Sequence, residues 1–178
     1  DYIAAIRDIY VPLYKGCSSV IIPKEYFMEP NRLFDYMNEH KVTSVGWSVS
    51  AFTVALSLGA FEEVKLNTLQ KICFSGSVMP ASCLSVWQKN LPDAKFVNQY
   101  GPTEATASCT YYEVDHVVST DEQLPIGRPY NNYRVFLLNE DLTETPNGEI
   151  GEICVSGPIL ALGYYNDPER TEKSFVIN

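Results

Sequence analysis

The chain is short of basic residues, of paired cysteines and of long apolar runs, and each shortage removes a class of function. It has 13 Lys and Arg against 22 Asp and Glu, a formal net charge of -9 at pH 7. That balance argues against a general nucleic-acid or anionic-membrane surface, since both need clustered cations. One small anionic ligand remains compatible with it, because a few backbone N–H groups outweigh the global field locally. The five cysteines, Cys17, Cys73, Cys83, Cys109 and Cys154, are odd in number and never form C-x-x-C. A disulfide framework and a zinc site are therefore not expected, and a reducing, cytoplasmic compartment is. The two histidines, His40 and His116, stand alone in the sequence and receive no role. No segment is long and apolar enough to span a bilayer. Asp1 opens directly into a periodic apolar segment, with nothing like a signal peptide. No G-x-G-x-x-G follows a predicted strand, which disfavours a dinucleotide-binding oxidoreductase.

What is present reads as a soluble globular chain. Its 178 residues are 46% apolar and 20% charged, enough for one sizeable core. Ile3, Ile6, Ile9, Tyr10 and Leu13 recur at helical spacing and Gly16 stops the run. Ser19 to Ile22 reads as a short strand ended by Pro23. Asn31 is placed to cap a helix carrying Leu33, Phe34 and Met37, and Ser50 to cap one through Phe52, Ala55 and Leu58. Val42 to Trp47, Lys71 to Phe74 and Lys95 to Asn98 read as further strands, with a helix from Ala81 to Lys89 after Pro80. Strand–helix–strand alternation predicts an α/β fold with a parallel sheet covered by helices. After about Thr110 the long helical pattern ends. Tyr133 to Leu138 and Ile150 to Val155 then predict antiparallel strands around the Pro146-Asn147-Gly148 turn, and Asp167-Pro168 predicts a helical turn. We expect an α/β subdomain over 1–118 and a β-rich subdomain over 119–178. Both ends read as cut, one inside an amphipathic segment and the other inside the apolar run Phe175 to Ile177.

Chemistry concentrates in Asn98-Gln99-Tyr100-Gly101-Pro102-Thr103-Glu104, which directly follows a predicted buried strand. In open α/β sheets, ligands bind beyond the carboxyl ends of the strands. Gly101-Pro102 forces a turn there, and Tyr100 offers a flat face for a base. Thr103 supplies a hydroxyl for a phosphate oxygen. Glu104 supplies a hard carboxylate suited to Mg²⁺. A second glycine turn, Ser75-Gly76-Ser77, also follows a predicted strand, so the two turns are placed to wall one nucleotide pocket. On turn chemistry alone this remains a turn, and the reading stops at an α/β domain with a ligand at a strand end.

Asn98 through Thr106 resembles the N-x-Y-G-P-T-E-A-T signature of the adenylate-forming superfamily, which includes nonribosomal-peptide adenylation domains, acyl-CoA synthetases and D-alanine–carrier-protein ligases. Three further segments agree in order: Asp8-Ile9-Tyr10 through Ile22, Leu124-Pro125-Ile126-Gly127-Arg128-Pro129, and Gly148-Glu149-Ile150-Gly151-Glu152-Ile153 through Gly163-Tyr164 and Thr171. Leu162, where peptide-synthetase domains usually carry Arg, leans toward the D-alanine ligase branch.

The resemblance implies ATP and Mg²⁺ as cofactors. It assigns Asn98 and the Ser75–Ser77 turn to adenine, Tyr100 to stacking on it, Thr103 to the α-phosphate and Glu104 to Mg²⁺, with Gln99, Gly101 and Pro102 in the same nucleotide loop. It implies an acyl pocket of Ile3, Ala4, Arg7, Trp47, Ser75, Gln99, Ala107 and Ser108. Arg7 is open to two readings there, as a partner for an anionic substrate group or as part of the exposed face of an amphipathic helix. The implied reaction joins a carboxylic acid, an amino acid such as D-alanine for choice, to AMP. The acyl group then passes to the phosphopantetheine thiol of a carrier protein or to CoA.

The sequence departs from the pattern at Ser77, where Glu is usual, at Val49, where Pro is usual, and at Ile3, where amino-acid-activating members hold an Asp for the substrate ammonium. A buried ammonium without a carboxylate partner is costly. Either Asp1 takes that role, or the substrate is an acyl or aryl acid. A degenerate, non-catalytic binding module is the third reading. The resemblance also places a phosphate loop before Asp1, and the ribose-binding Asp, hinge and catalytic Lys after Asn178, so the chain by itself is expected to be inactive.

Overall fold

Parallel strands need crossovers, and the first half of the chain supplies them as helices. The structure is a computed structural model and describes residue 3 and residues 5–176. After helix α1 (Ala5–Lys15) and a 3₁₀ turn (Lys24–Met28) come α2 (Pro30–Glu39), β1 (Ser44–Ser48), α3 (Val49–Ser57), β2 (Lys71–Ser75), α4 (Ala81–Asn90) and β3 (Lys95–Tyr100). Strands β1, β2 and β3 are parallel neighbours, with Val45 opposite Ile72 and Ile72 opposite Phe96. Then β4 (Thr110–Val114) and β5 (Arg128–Pro129) add to the same sheet antiparallel, in the order β1-β2-β3-β4-β5. A separate antiparallel hairpin joins β6 (Arg134–Leu138) to β7 (Glu152–Ser156), and α5 (Pro168–Ser174) follows. The α/β fold with a parallel start and a mostly antiparallel continuation is the one the periodicity predicts.

Period-2 alternation sorts the sheet into two faces. Val45, Ile72, Phe74 and Phe96 turn toward α2, α3 and α4, where Leu33, Phe34, Met37, Phe52, Leu84 and Trp87 complete the core. Trp87 is its centre. Its ring lies 5.0 Å from Phe52, 4.8 Å from Phe61 and 5.9 Å from Phe34, and it has no exposed surface. Gly46 and Gln99 lie on the opposite face, under α1. Helix α1 contributes no buried residue, and Ile9, Leu13 and Tyr14 stay exposed. Gly16 ends it at φ +66°.

Three local expectations are corrected. Ser19 to Ile22 pairs with no strand among the described residues; Ile21 is 86% exposed, and its carbonyl accepts from Tyr36 Oη at 3.2 Å. β-Branched residues favour an extended backbone, but only a neighbour makes it a strand. Asn31 does not cap α2, because Pro30 starts the helix one residue earlier and Asn31 donates to Glu63 instead. Ser50 lies inside α3, whose N-cap is Ser48, and the two hydroxyls meet at 2.8 Å. At α5 the sequence signal holds: Asp167 accepts from Arg170 N at 3.1 Å.

The loop between β4 and β5 is pinned to α4 and carries a titratable pair. Gln88 donates to the His116 carbonyl at 2.8 Å and accepts from Val118 N at 3.1 Å. His116 Nε2 meets Glu122 Oε1 at 2.6 Å, and Glu122 Oε2 accepts from Ser119 N. The bond to Glu122, then that to Asp115, raises the exposed imidazole above its usual value, and His116 in turn lowers Glu122. A raised histidine stabilises fully below its unfolded pKa, about 6.5, and loses that contribution as pH rises through its folded value. Glu122 acts oppositely, losing its contribution as pH falls through its lowered value. The loop is therefore tightest between those two limits. We expect the Val118 and Ser119 amide resonances to titrate with His116; amides that stay still across the imidazole titration would show that the pair does not hold the loop.

Candidate nucleotide-binding site

Strand β3 runs straight into the candidate loop, and the loop's shape follows from what glycine permits. A Cβ on Gly101 would lie 2.5 Å from Ser108 Cα and 2.7 Å from Cys109 N, so the chain folds back there only without a side chain. Cys109 N then donates to the Tyr100 carbonyl at 2.8 Å and closes the loop. Thr103–Ala105 forms a single 3₁₀ turn, and Thr106 and Ala107 follow at φ 52° and 74°. Two successive non-glycine residues in the left-handed region are strained, and such strain persists only where the surroundings fix it.

The fixing comes from the residue just before β6 and from the segment after β7. Tyr133 Oη donates to the Ala105 carbonyl at 2.5 Å, and Ala105 is fully buried with Cys109. Thr106 Oγ1 donates to the Ile159 carbonyl at 2.6 Å. Ala161 N donates to the Glu104 carbonyl at 2.7 Å, and Tyr164 Oη donates to Glu104 Oε1 at 2.5 Å. The Arg170 guanidinium stacks over the Tyr164 ring, 4.0 Å from its centre. The Tyr164 bond first, then the backbone N–H of Glu104 and the Arg170 charge, hold the Glu104 carboxyl below the usual carboxylate range. Glu104 is thus an ionised, half-buried carboxylate with one oxygen engaged.

Around it, the Ser75-Gly76-Ser77 turn leaves β2 beside the end of β3, since Phe74 pairs with Asn98. Gly76 has φ +91°, and Gly76 and Ser77 are exposed. Asn98 Nδ2 donates to the Pro125 carbonyl at 2.9 Å, tying the Leu124–Pro129 segment to the strand end. Tyr100 packs half-buried against Ala105, Cys109 and Tyr133, and Pro102 and Thr103 are exposed.

The implied acyl-pocket residues fall into separate places. Arg7 swings off α1 onto the sheet, with Nη2 donating to the Gly46 carbonyl at 2.6 Å and Nε to Asp8 at 3.0 Å. Gln99 lies on that face and donates to Tyr130 Oη at 2.6 Å, while its own Oε1 is buried without a partner. Burial raises the Tyr130 hydroxyl, and the Gln99 bond and the Arg7 charge oppose it. Trp47 is on the opposite face, 5.2 Å from Phe27 and 5.4 Å from Phe52. Ala107 and Ser108 sit half-buried in the loop, and Ile3 is half-buried before α1. Ala4 lies outside the described residues, as does Asp1. Residue types and spacing alone assigned nothing to Tyr133, Tyr164 or Arg170. Gly163-Tyr164 was visible as a motif, but its partner is 60 residues away.

Among the described residues no three His, Cys, Asp or Glu side chains gather as a metal cluster. A lone ionised carboxylate with one oxygen outside the Tyr164 bond fits Mg²⁺, which takes one or two carboxylates and completes its shell with water and phosphate oxygens. No helix among them is long and apolar enough to cross a membrane, and all five cysteines are free.

The family model described as "AMP-binding enzyme" matches residues 2–165. The chain is 32% identical over 174 residues to the D-alanine–D-alanyl carrier protein ligase of Bacillus cytotoxicus, covering 97% of this chain and 34% of that one. It is 32% identical over 173 residues to surfactin synthase subunit 1 of Bacillus subtilis, covering 97% of this chain and 5% of that protein. Among solved structures it is similar to the nonribosomal peptide synthetase FmoA3 in its alpha-methyl-L-serine-AMP bound form, with a TM-score of 0.88 and 28% identity over 98% of this chain and 20% of that one. The chain therefore spans about a third of the D-alanine ligases it matches and far less of the synthetases.

Proposed function

Since the chain belongs to the AMP-binding enzyme family, we propose that it forms the nucleotide-loop region of an ATP-dependent ligase activating a carboxylic acid, with an amino acid such as D-alanine as the first choice. The ionised Glu104 carboxylate, fixed on a strained loop at the carboxyl end of β3, carries this reading. In the reaction, a substrate carboxylate oxygen attacks the α-phosphorus of ATP. The bond from that phosphorus to the bridging β-phosphate oxygen breaks, and pyrophosphate leaves with the electron pair. A carrier-protein or CoA thiol then displaces AMP from the acyl carbon.

The chain's residues contribute position and charge. The Thr103 hydroxyl donates to a non-bridging α-phosphate oxygen. Glu104 would hold Mg²⁺, which when bound would supply neutralisation of phosphate charge. Tyr100 offers a ring to adenine. Asn98 and the Ser75–Ser77 turn flank the base. Arg7, Gln99, Ala107 and Ser108, with Ile3, bound the acyl group; Trp47, packed against Phe27 and Phe52 on the other face of the sheet, takes no part in that wall. A cytoplasmic location, where ATP is present, belongs to this reading. The relatives' greater length supports a larger parent protein, and the chain alone is expected to lack turnover.

Ile3 favours a second reading, an acyl- or aryl-acid ligase, because no carboxylate stands at that position to meet an ammonium. ATP–pyrophosphate exchange by the parent protein across a panel of amino, acyl and aryl acids decides between them. Strong exchange with D-alanine and none with simple acids is the expected result; the reverse pattern discards the amino-acid reading. Robust exchange by the 178-residue chain itself would overturn its expected inactivity.

A further inference from the structure

The segment from Ala161 to Phe175 makes more contacts with Glu104 than packing of a surface loop requires. It grips that residue at both ends, its backbone through Ala161 N and its carboxylate through Tyr164 Oη. Tyr164 is itself held from several sides. Arg170 covers one face of the ring at 4.0 Å, and Phe175 meets it at 5.7 Å edge-on. Thr171 Oγ1 meets Tyr164 N at 2.9 Å and donates to the Asp167 carbonyl at 2.8 Å, tying the tyrosine to the capped start of α5. An exposed hydroxyl in water needs no such frame. A hydrogen bond to an ionised oxygen that must keep one orientation does.

We propose that Tyr164, braced by Arg170, is a positioning residue that fixes Glu104 Oε1 so that the second carboxylate oxygen is presented to the metal of the bound nucleotide. The inference rests on the reading of Glu104 as the Mg²⁺ ligand and adds what orients that ligand. A carboxylate with one oxygen anchored loses most of its rotation about the last side-chain bond, so the ordering cost is met before the nucleotide arrives. Arg170 favours the ionised form as well as stacking on the ring.

The test uses the parent ligase with Tyr164→Phe, which keeps the ring and removes only the hydroxyl. Partners of this kind change metal affinity or activity by about 10- to 100-fold. We expect the Mg²⁺ concentration for half-maximal ATP–pyrophosphate exchange to rise by about tenfold, with KM for the acid substrate unchanged and the thermal midpoint retained. Arg170→Met should move the Mg²⁺ midpoint the same way by less. Equilibrium titration with Mn²⁺ in the presence of ATP, read by water-proton relaxation, should show weaker metal binding in both variants, a change that a purely structural role would not produce. Glu104→Gln separates the two claims. If that variant exchanges normally, the reading of Glu104 falls and this inference with it. If it is inactive while Tyr164→Phe leaves the Mg²⁺ midpoint and the Mn²⁺ affinity unmoved, only the positioning role falls.

Discussion

Glu104→Gln in the parent ligase should lower kcat/KM for ATP–pyrophosphate exchange by about 10²- to 10³-fold, the usual loss when one preorganised electrostatic group is removed. The substitution is chosen to spare the fold. An amide oxygen at the Oε1 position still accepts from Tyr164 Oη, and the Glu104 carbonyl still accepts from Ala161 N. What disappears is the negative charge, which Tyr164 and Arg170 are arranged to preserve. The effect should therefore concentrate in the nucleotide step and its Mg²⁺ dependence, with the acid substrate's KM little changed. A degenerate, non-catalytic binding module of the same family predicts no exchange with either side chain at position 104. Unchanged exchange in a folded Glu104→Gln protein would move the metal site elsewhere.

The second large effect is on stability. Trp87→Ala should cost about 3–5 kcal/mol, the range for truncating a fully buried aromatic residue. Phe34, Phe52 and Phe61 all pack on its ring within 6 Å, so the cavity would open where three aromatic neighbours meet. Against a typical total of about 5–15 kcal/mol, such a loss leaves a marginal protein. Trp87→Phe should cost clearly less. It keeps much of the aromatic contact and removes an indole N–H that is buried without a hydrogen-bond partner, a group whose burial is itself unfavourable by about 1–3 kcal/mol. Denaturant unfolding of the two variants checks both the size and the order. Equal losses would mean that the ring contacts, rather than the cavity, are misassigned.

Where signals are local, the sequence is a good guide to this fold. Leu33, Phe34 and Met37 on one helical face, the apolar runs at Val45 and Ile72, and Gly16 after α1 each carry their structure in neighbouring residues. Ser19 to Ile22 fails because strand identity depends on a partner that composition cannot supply. The joining of β4 and β5 to the first sheet is hidden for the same reason: Tyr111 meets Arg128 only through tertiary pairing. At the site, the Asn98–Glu104 turn is legible as a motif and as a turn demanding Gly101. The bracing of that turn is not. It comes from Tyr133, Ile159, Ala161 and Tyr164, which no spacing rule connects to the loop. Period-2 alternation does separate Trp47 from Gly46, and so puts Trp47 among the aromatic core while Arg7 reaches the other face.

The way the loop is gripped also sets how freely its neighbours can drift. Ile159 takes part through its carbonyl, Ala161 through its N–H, and the loop's own Ala105 and Glu104 through carbonyls. Any residue type that preserves the backbone path makes the same bonds. Leu162, beside them, is fully solvent-exposed, so an Arg or a Leu there leaves the grip unchanged and says little about substrate. Variation along this strip is physically cheap, whereas at Tyr164, Gly101 and Glu104 the side chain, or its absence, is the working part. Divergence among relatives can accumulate on the outside of the clamp without loosening what it holds.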